Sequence, residues 1–180
     1  TLRRSLNAFP ETSFLLSAGD QVNSNSSDTE YDGFLSPDAI RSIPLAVNVG
    51  NHDNGNGRYT DYYNMPNLSS YGVSNNTGDG SGDYWFVYNG VLFMSINSNN
   101  TNTSEHKAFL EDALEKNQDA LWTVVTFHHS TYSVANHYTD SDIIQRRTEL
   151  SPVFSELGID VVLMGHDHYY TRTYMMEGSN

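Results

Sequence analysis

Four apolar runs in this chain break off at residues that can coordinate a cation. Phe14 to Ala18 stops at Gly19-Asp20, and Leu45 to Val49 stops at Gly50-Asn51-His52-Asp53. Trp122 to Phe127 stops at His128-His129, and Ile159 to Met164 at Gly165-His166-Asp167-His168. Short apolar or β-branched runs bounded by turn residues read as strands, here buried ones. In α/β proteins the crevice beyond strand ends is where sites form. Glycine directly before Asp20, Asn51 and His166 lets the backbone turn sharply and approach a ligand closely. On an extended backbone His166 and His168, one residue apart, project their rings to the same side. Such a pair can chelate one ion, or serve two ions roughly 3.5–4 Å apart, the clamp used for in-line displacement at phosphorus.

The remaining pattern supplies helices and turns around those strands. Leu2 to Phe9 forms an amphipathic turn or two before Pro10, and "VNSNSSDTEYDG" reads as polar connection. Asn54 to Gly82, rich in Gly, Asn and Tyr, reads as a long functional loop with at most a short helix near Tyr59 to Asn64. Asn89-Gly90 divides Tyr84 to Tyr88 from Val91 to Ile96, a hairpin signal. Ser104 caps a helix to about Lys116, with Phe109, Leu110, Ala113 and Leu114 on one face and His106 on the exposed, inert side. Ile143 to Leu150 is helical, Ser151-Pro152 restarts a helix, and Gly158 ends it. With no repeat and no internal boundary, residues 1–180 read as one mixed α/β domain with sheets inside and helices outside.

Composition excludes several classes of partner. The 180 residues carry 22 acidic and 9 basic side chains, a formal charge of −13. Nucleic acid and anionic membrane surfaces both need a basic face, so neither is expected as a partner. There are no cysteines, so a metal must be held by oxygen and imidazole nitrogen, which suits iron, manganese or zinc. No membrane-length apolar run or signal peptide is visible. The opening "TLRRSLNAF" reads like the middle of a helix, so further domains of the same polypeptide are expected. The Asn/Ser/Thr-rich, cysteine-free composition is compatible with a secreted bacterial protein, extracellular or at the cell surface.

Taken in order, Gly19-Asp20, Gly50-Asn51-His52-Asp53, His128 and Gly165-His166-Asp167-His168 resemble the calcineurin-like metallophosphoesterase superfamily, most closely its bacterial purple-acid-phosphatase-like branch. The likeness runs from about Ser17 to Tyr174. It implies an α/β (α+β) fold, the four-layer αββα sandwich, and a dinuclear centre of divalent or trivalent ions. Asp20 would bridge both ions; Asn51, His128 and His166 would complete one, and His168 would hold the other with Asp20. A metal-bridging hydroxide, its pKa near ~7, would attack phosphorus. His52 would stabilise charge on the phosphate or protonate the leaving oxygen.

By the same likeness, Ser130 stands where the family has proline two residues after its ligand, which selects His128. His129 either lines the pocket or exchanges places with His128 if the register differs by one. His137 is expected to face substrate or to lie on the loop surface, and Arg172 to meet the phosphate or form a salt bridge behind the site. Asp53 is expected to cap the following turn in preference to orienting His52, and Asp167 to act as structural support.

Two departures accompany the resemblance. The family's first strand carries an Asp ligand with a later His or Tyr, and nothing before Phe14 supplies it. The fold is therefore expected to be truncated at its N-terminal strand and one metal site to be incomplete. Asn23 stands three residues after Asp20, where the purple branch has tyrosine, so no tyrosinate chromophore is expected. The function implied is a metal-dependent phosphohydrolase acting on small-molecule phosphate mono- or diesters. The alternative is a non-catalytic binding or surface module that retains one ion.

Overall fold

The computed structural model describes residues 2–55, 58–73 and 81–178. Its first sheet pairs β1 (Leu15–Ser17) in parallel with β2 (Leu45–Val47), Leu15 opposite Leu45. The second contains β3 (Tyr84–Tyr88), β4 (Val91–Ser95), β5 (Trp122–Thr126) and β6 (Val161–Leu163) in that spatial order. β3 and β4 form the expected antiparallel hairpin, and the other pairings are parallel. Asn89 and Gly90 both take positive φ, 48° and 78°, as a type I′ turn demands.

Helices cover the outer faces. Leu92, Met94, Ile96, Val125 and Phe127 on or beside the strands of the larger sheet pack against Phe109, Leu110 and Ala113 of the Thr103–Lys116 helix and against Val153 and Phe154 farther along the chain. On the other side Val47 and Val49 pack with Tyr31, Tyr59, Tyr63 and Tyr84. Fully burying one such apolar side chain stabilises the fold by roughly 1.5–3 kcal/mol. Phe14 joins the two sheets through edge contacts with Phe86 and Phe93, at 5.6 and 5.2 Å. Helix, sheet, sheet, helix is the layering the sequence implied.

Polar clasps lock the sheets beside the strand ends. The fully buried Asn48 donates through Nδ2 to the Ser17 carbonyl (3.0 Å) and to Thr126 Oγ1 (2.7 Å), while its Oδ1 accepts from Ser95 Oγ. One side chain thus ties β1, β4 and β5 where they run out toward Asp20 and His128. The Tyr84 hydroxyl accepts from Val47 N and donates to Val47 O. Burial pushes its pKa up to about 12.

Four expectations are corrected. Within the supposed polar connection lies a helix, Asp28–Leu35, with a shorter one at Asp38–Arg41. Ser27 Oγ accepts from Glu30 N at 3.3 Å, a helix-starting cap, and the Tyr31 that follows is fully buried. The Thr103–Lys116 helix begins with Asn102 as its cap, two residues before Ser104. Its His106 is buried rather than exposed, with Nδ1 on Asp83 Oδ2 at 2.7 Å and Nε2 on the Asn100 carbonyl at 2.9 Å. β6 is half open, Val161 and Leu163 being 45% and 42% exposed, because only the face bearing Val162 meets the core.

The Tyr59–Tyr62 helix falls where one was expected. Parts of the Asn54 to Gly82 loop, residues 56–57 and 74–80, lie outside the described residues. Among the described residues no helix is long and apolar enough to cross a membrane.

Candidate metal centre

The four strand ends converge. His128 gives its Nδ1–H to the Ala18 carbonyl at 2.8 Å, so its Nε2 faces the other strand ends. Around that nitrogen stand Asn51 Oδ1 at 3.0 Å, His166 Nδ1 at 3.1 Å and Asp20 Oδ2 at 3.2 Å. Asp20, His128 and His166 offer ligand atoms that all lie within 4.8 Å of one another. Four lone-pair atoms facing inward repel unless a proton or a cation lies among them. Carboxylate, amide oxygen and imidazole suit a first-row transition ion, so the residues present fit the metal that the sequence pattern called for.

The electrostatics point the same way. Burial works against ionisation of Asp20, but the His128 ring and the His52 amide outweigh it and hold the carboxyl below its ordinary range. Burial, followed by the neighbouring His128 and His137, pushes the His166 pKa down, favouring a neutral ring with a free lone pair.

Close backbone packing is what brings these groups together. A Cβ on Gly19 would lie 2.5 Å from His128 Nδ1, and one on Gly50 would lie 2.1 Å from Asp20 Oδ1. Asp20, His166 and His168 take left-handed backbone angles, φ 53°, 75° and 57°. Conformations of that kind cluster at functional sites. They also correct the extended-strand reading of His166 and His168: β6 ends at Leu163, and the two histidines sit on a turn in which Asp167 N donates to Gly165 O at 3.0 Å. A Cβ at Gly165 would come within 2.9 Å of the Ala18 carbonyl, so glycine is what lets the chain pass this close to the end of β1.

His52 stands beside the cluster. Its amide donates to Asp20 Oδ1 at 3.0 Å, and its ring Nδ1 lies 3.0 Å from the Asn23 carbonyl. Asp53 does not touch that ring. Its buried carboxylate accepts from Gly50 N at 2.8 Å and Val22 N at 3.2 Å, both earlier in the chain, so it binds the two loops together where a cap on the following turn was expected. Burial raises its pKa above the usual carboxylate value.

A model of the calcineurin-like phosphoesterase family matches residues 1–170. The chain belongs to that family. It is 26% identical over 164 residues to an uncharacterized protein of Mycobacterium tuberculosis, in strain CDC 1551 / Oshkosh and strain H37Rv alike, covering 78% of this chain and 30% of the relative. Over 65 residues it is 38% identical to purple acid phosphatase 17 of Arabidopsis thaliana, covering 34% of this chain and 18% of the plant protein. The chain thus spans 30% or less of the length of these relatives. Metal-dependent phosphoester chemistry is the family's trade, and at that level the sequence-derived expectation holds.

The remaining candidates of this phosphoesterase domain divide by position. His168 is exposed and lines the same open cleft of about 370 Å³ as Asp20, His128 and His166, but it is outside the convergent group. His129 is buried behind the centre, where Ser98 Oγ accepts from its amide at 3.1 Å and meets its Nδ1 at 2.8 Å. Burial, then the Arg146 charge, pushes the His129 pKa down to about 2, so the ring stays neutral. His137 lies against His166, ring centroids 4.2 Å apart, with its Nδ1 on Asp140 Oδ2 at 2.8 Å. Arg172 is exposed, does not line the cleft, and forms no ion pair among the described residues. Asp167 Oδ2 accepts from Ser130 Oγ and Val134 N, at 3.0 and 3.2 Å, and so supports the loop after His128.

Three supporting residues escaped the sequence reading. Arg146, on a π-helical turn (Arg146–Leu150), donates to Asp142 at 2.6 Å and to the Ser98 carbonyl. The i,i+4 spacing of Asp142 and Arg146 was the available signal. Asn99 donates to the Val49 and Gly50 carbonyls at 3.3 and 3.2 Å; its position in an Asn-rich run gave no signal. Glu30 was signalled by Ser27-x-x-Glu30, the spacing of a capping box.

Proposed function

We propose that this domain hydrolyses phosphate esters of small molecules at a metal centre that Asp20, Asn51, His128 and His166 would hold, with His168 and Asp20 the residues that would serve a second ion. The observation that carries the reading is the ring of acceptor atoms within 3.2 Å of His128 Nε2. Iron, manganese or zinc bound there supplies Lewis-acid neutralisation of phosphoryl charge and a lowered pKa for water.

The chain's own residues have separate tasks. Asp20 Oδ2 and Asn51 Oδ1 give oxygen ligation, and Ala18 O fixes the His128 tautomer that ligation needs. His52, its Nδ1–H committed to the Asn23 carbonyl, can in its protonated form present Nε2–H to a phosphoryl or leaving-group oxygen. His137, steadied by Asp140, flanks His166 where a substrate oxygen can take a hydrogen bond. Composition supports an extracellular or cell-surface setting for this chemistry.

The test is hydrolysis of p-nitrophenyl phosphate and bis-p-nitrophenyl phosphate by protein loaded with Mn, Fe or Zn. Turnover that vanishes in Asp20→Ala and falls by about 100-fold or more in His52→Ala, within the range for removing a general acid, supports the phosphoesterase. Tight metal binding without turnover on either ester would instead identify a metal-retaining binding module.

A further inference from the structure

We propose that Glu30 is a positioning residue for His52, acting through the single peptide unit that joins Asn23 to Ser24. The proposal rests on His52 serving the phosphoesterase reaction. His52 is exposed, and its ring is steadied by one hydrogen bond, from Nδ1 to the Asn23 carbonyl at 3.0 Å. That carbonyl belongs to a turn at the surface, so something must hold its direction. Glu30 Oε2 does so, accepting from Asn23 N at 2.6 Å and Ser24 N at 2.9 Å.

The physical link is peptide planarity. In a trans peptide the carbonyl and the following N–H point in opposite directions within one rigid plane. Ser24 N–H and Asn23 C=O are the two ends of such a plane. Glu30 grips one end and His52 the other, so the carboxylate sets the angle at which the carbonyl meets Nδ1. The hydrogen bond on the N–H side also polarises the peptide and strengthens its oxygen as an acceptor.

Glu30 is itself well founded. It lies in the first turn of the Asp28–Leu35 helix, capped by Ser27. The next residue, Tyr31, is fully buried and stacks on Tyr62 with ring centroids 4.0 Å apart. On the other flank Asp53 Oδ1 holds Val22 N, so the turn is pinned from both sides. Asn23, whose side chain departs from the family pattern, needs only its main chain for this task.

The test reads the His52 tautomer in metal-free protein by long-range ¹H–¹⁵N correlation at about pH 8, where an ordinary imidazole is neutral. Wild type and Glu30→Gln, which keeps an acceptor oxygen, show His52 protonated at Nδ1. Glu30→Ala and Glu30→Asp, whose carboxylate stops one methylene short, show exchange between Nδ1–H and Nε2–H forms. Glu30→Asp retains the charge in the helix's first turn, so it serves if the alanine variant does not fold. An Nδ1–H His52 in every folded variant overturns the proposal. In metal-loaded protein the aspartate variant lowers kcat for an aryl phosphate about tenfold or more with little change in KM, the scale of a misplaced group. A tautomer change in a protein whose wild type hydrolyses nothing would leave the positioning role intact and remove the phosphoesterase reading.

Discussion

Gly50→Ala tests the close packing on which the centre depends. Gly50 has no left-handed φ, so alanine is allowed by its backbone and the effect is steric. The added Cβ would sit 2.1 Å from Asp20 Oδ1 and 2.3 Å from Asp20 N, against 3.4 Å for ordinary contact. The Asp20 segment must therefore retreat by more than 1 Å. That distance breaks the 3.0 Å bond from His52 N to Asp20 Oδ1, a loss of about 1.5–3 kcal/mol for a charged acceptor. Overpacking adds about 1–3 kcal/mol. A destabilisation of roughly 3–6 kcal/mol follows, and with m near 2 kcal/mol/M the urea midpoint falls by about 1.5–3 M. Calorimetric titration with Mn²⁺ or Zn²⁺ should show binding weakened at least tenfold, the low end for disturbing support of a ligand. Gly33→Ala is the matched control: no atom lies within 4 Å of its Cβ, and in a helix the change is worth up to about 1 kcal/mol in favour of folding. A Gly50→Ala protein with wild-type midpoint and metal affinity would refute the packing argument.

Three further outcomes are expected. Saturating Mn²⁺ or Zn²⁺ at about 100 times Kd raises stability by roughly 2.7 kcal/mol, and EDTA or His128→Ala abolishes the rise in a thermal melt. Burial opposes protonation of His106, but the Asp83 carboxylate, helped by the Asn100 carbonyl and Glu105, raises its pKa. Its protonated form stabilises the fold below the unfolded value of about 6.5, and that contribution disappears as pH climbs through the raised folded value. Urea midpoints from about pH 6 to 8.5 should thus decline in wild type and flatten in Asp83→Asn. Asn48→Leu keeps the volume but takes the amide away from the buried Ser95 and Thr126 hydroxyls, so it should cost about 2 kcal/mol or more by urea denaturation at constant m.

What was legible in the sequence was whatever local chemistry alone decides. Asn89-Gly90 announced its hairpin because few other pairs accept two positive φ angles. Asp20, Asn51, His128 and His166 were legible because each follows an apolar run that must end at the same edge of the fold. The His166–His168 geometry was not, since the strand stops at Leu163 and Gly165 packs against Ala18, distant in the chain. His106 was misassigned because its buried partner Asp83 lies 23 positions away, and helical periodicity does not report a charge waiting in the core. The helix starting at Asp28 was missed because its capping signal was outweighed by the polar run before it.

Two of the imidazoles at this centre are aimed by main-chain oxygens, His128 by Ala18 and His52 by Asn23. Side-chain identity at position 23 is consequently free to drift while the orienting contact persists. Randomising position 23 should therefore leave most variants competent, and proline at position 24, which deletes the gripped amide, should not.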